Sequence, residues 1–314
     1  MENFKLNWRR QPVDNRDKIT RRGVLFTPSE LPVKFQLDKE IPIYDQGDLG
    51  SCTANSGCAC YRYEYAQLKN TFDTFDPSRL YLYYNTRKIE GSTEEDAGAY
   101  IRDVFKALNK DGLCEESLFP YYTDRFATEP SPNCYINGKK YQTVRYAAVP
   151  QDLNSLKSAV FSGAAISFGF DVYKSFMYGS WTEICPIPNP SKEQLLGGHA
   201  VTIIGWDDNK KAFLIQNSWG SDWKNKGKFY MPYEMVTDNK FCDDFWVIDE
   251  IKVDDAVTPV VEPVKDTVKR IFTRELILDA SKSTIVHLAD LVGCKLVGAF
   301  RSNFAKQLVK YLYG

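Results

Sequence analysis

Between Ser51 and Asn70, Ala54, Cys58, Tyr61, Tyr65 and Leu68 recur at helical spacing and form one apolar stripe. The pattern predicts a helix with Ser51 as its N-cap. A second helix is expected over Gly98–Asn109, stopped near Asp111-Gly112, and a third over Gln151–Ser162. After Tyr141 the texture changes. Ala164–Phe170, Ala200–Trp206, Ala212–Gln216 and Phe245–Ile251 are short β-branched or aromatic runs bounded by Gly, Asp and Asn, and they read as strands. A helical half (about 45–145) therefore precedes a strand-rich half (about 146–253), which predicts an α+β body over 31–253 in two subdomains. Residues 1–30 lack a period and read as an extended arm with a turn at Asp14-Asn15-Arg16-Asp17. Pro130–Asn133 reads as a loop. Residues 254–266 read as a linker. Residues 267–314 read as a helical extension with Phe300, Phe304, Leu308, Tyr311 and Leu312 on one face.

Composition narrows the class. The chain has 314 residues, 43% of them hydrophobic and 14% aromatic, so a large core forms and disorder throughout is excluded. The net charge of −1 argues against a protein that coats nucleic acid. The uncharged runs Ser158–Phe170 and Gln194–Trp206 are too short to span a bilayer. Charge is uneven: residues 1–30 carry net +3, residues 31–255 net −8 and residues 256–314 net +4. Basic ends that dock on an acidic body are one reading, and solvated tails are the other. Eight cysteines include no CxxC pair, and only two histidines occur, His199 and His287. The usual zinc spacings are absent, and neither a metal nor a cofactor is expected. The first 18 residues contain no apolar run of the secretory type. The expectation is an intracellular protein, or one carried in a particle such as a virion, with reduced thiols.

The chemistry concentrates in three places. Gln46-Gly47-Asp48-Leu49-Gly50-Ser51-Cys52 is a glycine-rich turn running into the first predicted helix. A cysteine in the first helical turn is expected to have a lowered thiol pKa, because the helix N-terminus favours the thiolate. A thiolate nucleophile needs a base. His199 follows Gly197-Gly198 at the start of a predicted strand, and Asn217 in Gln216-Asn217-Ser218-Trp219-Gly220 offers an amide oxygen to orient its ring. Each signal alone is commonly structural. Together they define a cysteine–histidine–asparagine set.

Asp45-Gln46-Gly47-x-x-Gly50-Ser51-Cys52, Gly198-His199-Ala200 and Asn217-Ser218-Trp219-Gly220 resemble the three signature blocks of papain-like cysteine peptidases. The resemblance covers roughly 31–252 and is nearer to prokaryote-type or viral members than to lysosomal cathepsins. It implies a papain-like fold: a helical subdomain, a β-barrel-like subdomain and an active-site cleft between them. It implies Cys52 as nucleophile, His199 as general base and acid, Asn217 as the residue that holds the ring, and the Gln46 side-chain amide with the Cys52 N–H as oxyanion donors. Trp219 would shield the Asn–His bond. Gly50, Ser51, Gly98, Gly198, Trp219 and Phe245 would contact substrate, with Phe245 near the floor of the main specificity pocket. The implied activity is hydrolysis of protein or peptide substrates through a thioester. With one histidine committed to catalysis and His287 in the tail, the expected mode is endopeptidase.

Departures from the family pattern mark this chain. Leu49 stands where a pairing cysteine is common, Thr53 where an aromatic is common, and Trp223-Lys224 where Trp-Gly is common. A non-catalytic peptide binder and a peptide ligase on the same machinery are the alternatives. Residues 1–30 are shorter than the helical propeptides of many relatives; they either cover the cleft as a short propeptide of a zymogen or trail as a tail. The C-terminal helices either pack on the body or bind a partner.

Overall fold

The computed structural model describes residues 4–39, 41–69 and 75–253. The predicted linker and C-terminal helices lie outside the described residues.

The helical part contains α1 (Cys52–Lys69), α2 (Arg79–Glu90), α3 (Ile101–Lys110) and α4 (Pro132–Gly138). β1 (Lys34–Gln36) precedes it. β2 (Tyr141–Ala148), α5 (Leu153–Phe161), β3 (Ile166–Tyr173), α6 (Lys174–Tyr178), β4 (Leu195–Asp207), β5 (Ala212–Gln216), β6 (Lys228–Pro232), α7 (Tyr233–Val236) and β7 (Cys242–Val253) follow. The strands form an antiparallel sheet in the order β2-β7-β3-β4-β5-β6, with β1 added beside β4. β2 and β6 are the ends of that path, so the sheet is open where a barrel-like closure was expected.

The fold is α+β, as the change of period implied. The single stripe expected on α1 is not what forms. Residues Cys52–Tyr63 are buried on every side, because α1 lies between the neighbouring helices α2 and α3 and the sheet strands β3, β4 and β7. A helix packed on opposite faces has no solvent side to mark a period. α2 begins at Ser78, whose hydroxyl accepts from the Tyr81 N–H, and ends at Gly91 in the left-handed region (φ 73°). The Pro130–Asn133 segment does not remain a loop: Pro132 occupies the first position of α4, where its missing N–H costs nothing.

Residues 4–30 run along the body. Ile19 bridges Ala148, Thr20 caps a short 3-10 turn at Arg21–Val24, and Leu25 and Phe26 are buried in the core. Among the described residues no helix is long and apolar enough to cross a membrane, and no group of His, Cys, Asp or Glu is arranged to hold a metal ion.

Candidate active site

Cys52 is the first residue of α1 and sits at its sheet-facing N-terminus. His199 lies on β4, opposite Phe170 of β3. Asn217 immediately follows β5, which pairs with β4, so the sheet itself sets the imidazole beside the amide. The His199 Nε2–H donates to Asn217 Oδ1 at 2.7 Å. The same oxygen accepts the Ser218 N–H at 2.8 Å, which fixes the amide. His199 Nδ1 has no hydrogen-bond partner among the described residues. The Trp219 indole stacks on the imidazole with ring centroids 4.6 Å apart.

The loop before Cys52 is tied to this block. The Gln46 N–H donates to Ser218 O at 2.9 Å, and Gln46 Oε1 accepts from Ser218 Oγ at 2.8 Å. That anchor leaves Gln46 Nε2 directed at Leu49 O (3.0 Å) and at Lys5 O (3.2 Å). Behind the loop, the Tyr121 hydroxyl donates to Gln46 O at 3.0 Å and meets Ser51 Oγ at 2.5 Å. Arg79 lies over the Tyr121 ring and donates to Asp45 O at 2.8 Å.

A strand of the chain's own N-terminus fills the groove. Phe4 stacks on Trp219 at 4.4 Å, with the rings 7° from parallel. Asn7 bridges Gly198 and Trp8 bridges Ala99, and the Trp8 N–H donates to Gly198 O at 2.9 Å. Gly98 has φ +69°, and a Cβ there would lie 1.9 Å from Asn7 O, so only glycine fits beneath this strand. A Cβ on Gly169 would likewise collide with the Trp8 ring. The Trp8 indole is buried, and its Nε1–H donates to Asp244 Oδ2 at 3.0 Å, an oxygen that also accepts the Gln11 N–H at 3.1 Å. Asp244 sits at φ 61° beside a β-bulge between β3 and β7. Ion pairs flank the strand: Lys5–Asp96 (2.7 Å), Arg9–Glu90, and Arg10 with Asp171 (3.1 Å) and Asp243 (3.2 Å).

Burial reverses the titration expected of the pair. Cys52 and His199 are both 0% exposed. Burial pushes the Cys52 thiol up to about 11, against weaker help from nearby backbone groups that include Asn7, Trp8 and Ala200. The expected lowering at the helix N-terminus is overridden, because desolvation penalises a thiolate more than a helix end favours it. Burial pulls His199 down to about 4, only partly offset by Asn217. Burial thus favours the protonated thiol and the neutral imidazole.

Of the residues expected to meet substrate, Gly98, Gly198 and Trp219 lie directly under the strand, and Gly50 packs against the Asn7 side chain. Ser51 is turned to Tyr121 and Asn55. Phe245 stacks on Phe168 at 5.0 Å, while its neighbour Asp244 reaches the Trp8 pocket. Gly169 and Asp244 went unread. The acidic pair Asp243-Asp244 bounds the Phe245–Ile251 run in the sequence and lies inside β7 in the structure.

The fold and the site define a thiol hydrolase of the papain type. The model of the papain family cysteine proteases matches residues 32–243, and the chain belongs to that family. It is 42% identical over 217 residues to a peptidase C1-like protein, L477, of Acanthamoeba polyphaga mimivirus, a match covering 66% of this chain and 69% of that protein. It is 26% identical over 223 residues to cathepsin B-like CP3 of Giardia intestinalis, covering 66% and 71%. Among solved structures it is similar to xylellain, a cysteine protease from Xylella fastidiosa, with a TM-score of 0.72 and 36% identity over 81% of this chain and 99% of that one.

Proposed function

We propose that this cysteine protease is an endopeptidase held closed by its own N-terminal arm. Cys52 is the nucleophile, His199 its base and acid, and Asn217 the residue that orients the ring. One observation carries the reading: an extended polypeptide, residues 4–11, lies across Cys52 with a carbonyl, that of Lys5, on Gln46 Nε2. The groove thus accommodates chain on both sides of the nucleophile, as internal cleavage requires.

With the arm displaced, water reaches the pair, and His199 Nδ1 is free to take the thiol proton. The thiolate attacks the scissile carbonyl carbon, and the oxygen gains charge between Gln46 Nε2 and the Cys52 N–H. His199 returns its proton to the leaving amine, and the C–N bond breaks. Water, deprotonated by His199, then hydrolyses the thioester and regenerates the thiol.

The test is Cys52→Ala in the full chain. Turnover of a protein substrate should fall by many orders of magnitude, and the wild-type products should map to internal bonds by mass spectrometry. Residual cleavage by the variant sinks the mechanism, and exclusive release of terminal dipeptides sinks the endopeptidase mode.

A further inference from the structure

The side-chain amide nitrogen of Gln46 carries a pair of hydrogens. One is spent inside the loop, on Leu49 O at 3.0 Å. The other is directed out of the loop and becomes available when the arm leaves. Leu49 O also accepts the Ser51 N–H at 2.8 Å. The direction in which Gln46 offers its outward hydrogen therefore depends on where the Leu49–Gly50 peptide unit points.

That peptide unit is held at its other end. Its N–H, that of Gly50, donates to Asp96 Oδ1 and Oδ2 at 3.0 and 3.1 Å. A Cβ on Gly50 would lie 2.9 Å from Asp96 Oδ1, so glycine lets the carboxylate close on the backbone. Asp96 is braced in turn by α2. Tyr83, fully buried, donates its hydroxyl to Oδ1 at 2.5 Å and accepts the Gly98 N–H at 3.1 Å. Arg87 lies over the Tyr83 ring at 4.1 Å and donates to Thr93 O at 2.6 Å and Glu95 O at 2.9 Å, which fixes the segment that carries Asp96.

We propose that Asp96 is a positioning residue for the oxyanion donor: it fixes the Leu49–Gly50 peptide and thereby aims the outward hydrogen of Gln46. This role rests on the reading of Gln46 as an oxyanion donor. Asp96 acts through Gly50 and Leu49 rather than on the reacting atoms. A donor anchored in advance needs no reorganisation when charge develops on the carbonyl oxygen, whereas a loosened one does.

The test uses the full chain with Lys5→Ala and Trp8→Ala. These changes loosen the arm and remove its cation from Asp96, so that substitutions at Asp96 no longer act through that ion pair. To this parent are added Asp96→Ala, Asp96→Asn, Gln46→Ala, or Asp96→Ala together with Gln46→Ala. Active sites are counted with a thiol alkylator. The readouts are kcat and KM for a fluorogenic peptide amide, inhibition by a peptide aldehyde, and the rate of Cys52 alkylation by iodoacetamide. The Cys52 sulfur bonds to the aldehyde carbon, the carbonyl electron pair moves to oxygen, and the thiol proton passes to His199, so this adduct draws on the oxyanion donors. Iodoacetamide is attacked at a saturated carbon and does not draw on them.

Asp96→Ala should lower kcat about 10–100-fold, short of the loss of a whole oxyanion donor, with KM within about threefold. Aldehyde inhibition should weaken by a similar factor while alkylation stays within about threefold of the parent. Asp96→Asn keeps an oxygen for the Gly50 N–H and should recover most of kcat. In the Gln46→Ala protein, adding Asp96→Ala should change kcat by less than about threefold, because its effect passes through Gln46. Unchanged kcat and aldehyde inhibition in Asp96→Ala, an equal loss of alkylation, no recovery with asparagine, or effects that multiply with Gln46→Ala would each overturn the role of Asp96 and leave that of Gln46 standing. Unchanged kcat and aldehyde inhibition in Gln46→Ala overturns the reading of Gln46 itself. Should Asp96→Ala yield no titratable sites, Tyr83→Phe, which removes the bracing hydroxyl, is read against the same outcomes.

Discussion

Trp8→Ala in the full chain tests what closes the groove. Trp8 is 4% exposed and fills a pocket over Gly169. An indole withdrawn from water buries roughly 200 Å², worth about 5 kcal/mol at 25 cal/mol per Å². Large aromatic truncations in packed sites cost about 3–5 kcal/mol. The three flanking cations of the arm are partly exposed, and such pairs contribute about 0.2–1 kcal/mol each. Trp8 therefore dominates, and its loss should raise the open fraction by about two to four powers of ten, up to the point where the open form prevails. The assay is the rate of Cys52 alkylation at pH 7 followed by intact mass, in parallel with turnover of one fluorogenic peptide. Cys58 and Cys60 are fully buried within α1 and should stay unlabelled, which reports that the body remains folded. Labelling and turnover within twofold of wild type, with Cys58 and Cys60 still protected, would refute the arm as the closing element. Substitution is a cleaner perturbation than truncation at Leu31, because that cut also strips Leu25 and Phe26 from the core.

Two further outcomes follow from the same geometry. In the Trp8→Ala background, Gln46→Ala should lower kcat about 10²–10³-fold with a smaller change in KM, since its amide acts on charge that develops in the transition state; an unchanged kcat removes Gln46 from that role. Asp244 is held up at about 7, first by burial and then by Asp243, against Gln11, Trp8 and Arg10. The closed form therefore binds a proton that a solvated Asp244, near 3.8, does not. Its contribution to closure is full below that value and is lost as pH rises through 7. Asp244→Asn, which cannot ionise, should label more slowly than wild type at pH 8, with the difference vanishing by pH 4; a constant ratio of rates across that range would contradict it.

How much of this was legible in the sequence depends on what wrote each residue. β5 was readable to the residue, because Ala212–Gln216 is buried on both faces and bounded by turn residues. The pairing of His199 with Asn217 was readable because each lies in a compact block with chemistry in it. α2 was not, since Arg79–Glu90 mixes tyrosines with Arg87 and Asn85, polar groups buried against backbone partners that no hydropathy period anticipates. The thiol's titration was misjudged for a related reason: the helix end is local and visible, whereas the burial that opposes it comes from the packing of the whole fold around Cys52.

The arm shows the limit most clearly. Residues 4–11 look featureless by period because they pack on neither a helix face nor a sheet face of their own. Their order is dictated by the groove: an aromatic for Trp219, a cation for Asp96, an amide for Asp96 O, an indole for Asp244, then cations for Glu90 and Asp171. Net charge caught the cationic part of that match, since an arm of +3 faces a body of −8. It could not catch Phe4 or Trp8, and the energies above make Trp8 the stronger hold. A segment whose partner is a concave site inherits that site's irregular spacing. Its sequence becomes readable only once the groove is known, and then it reads in the other direction, as a cast of what the groove accepts.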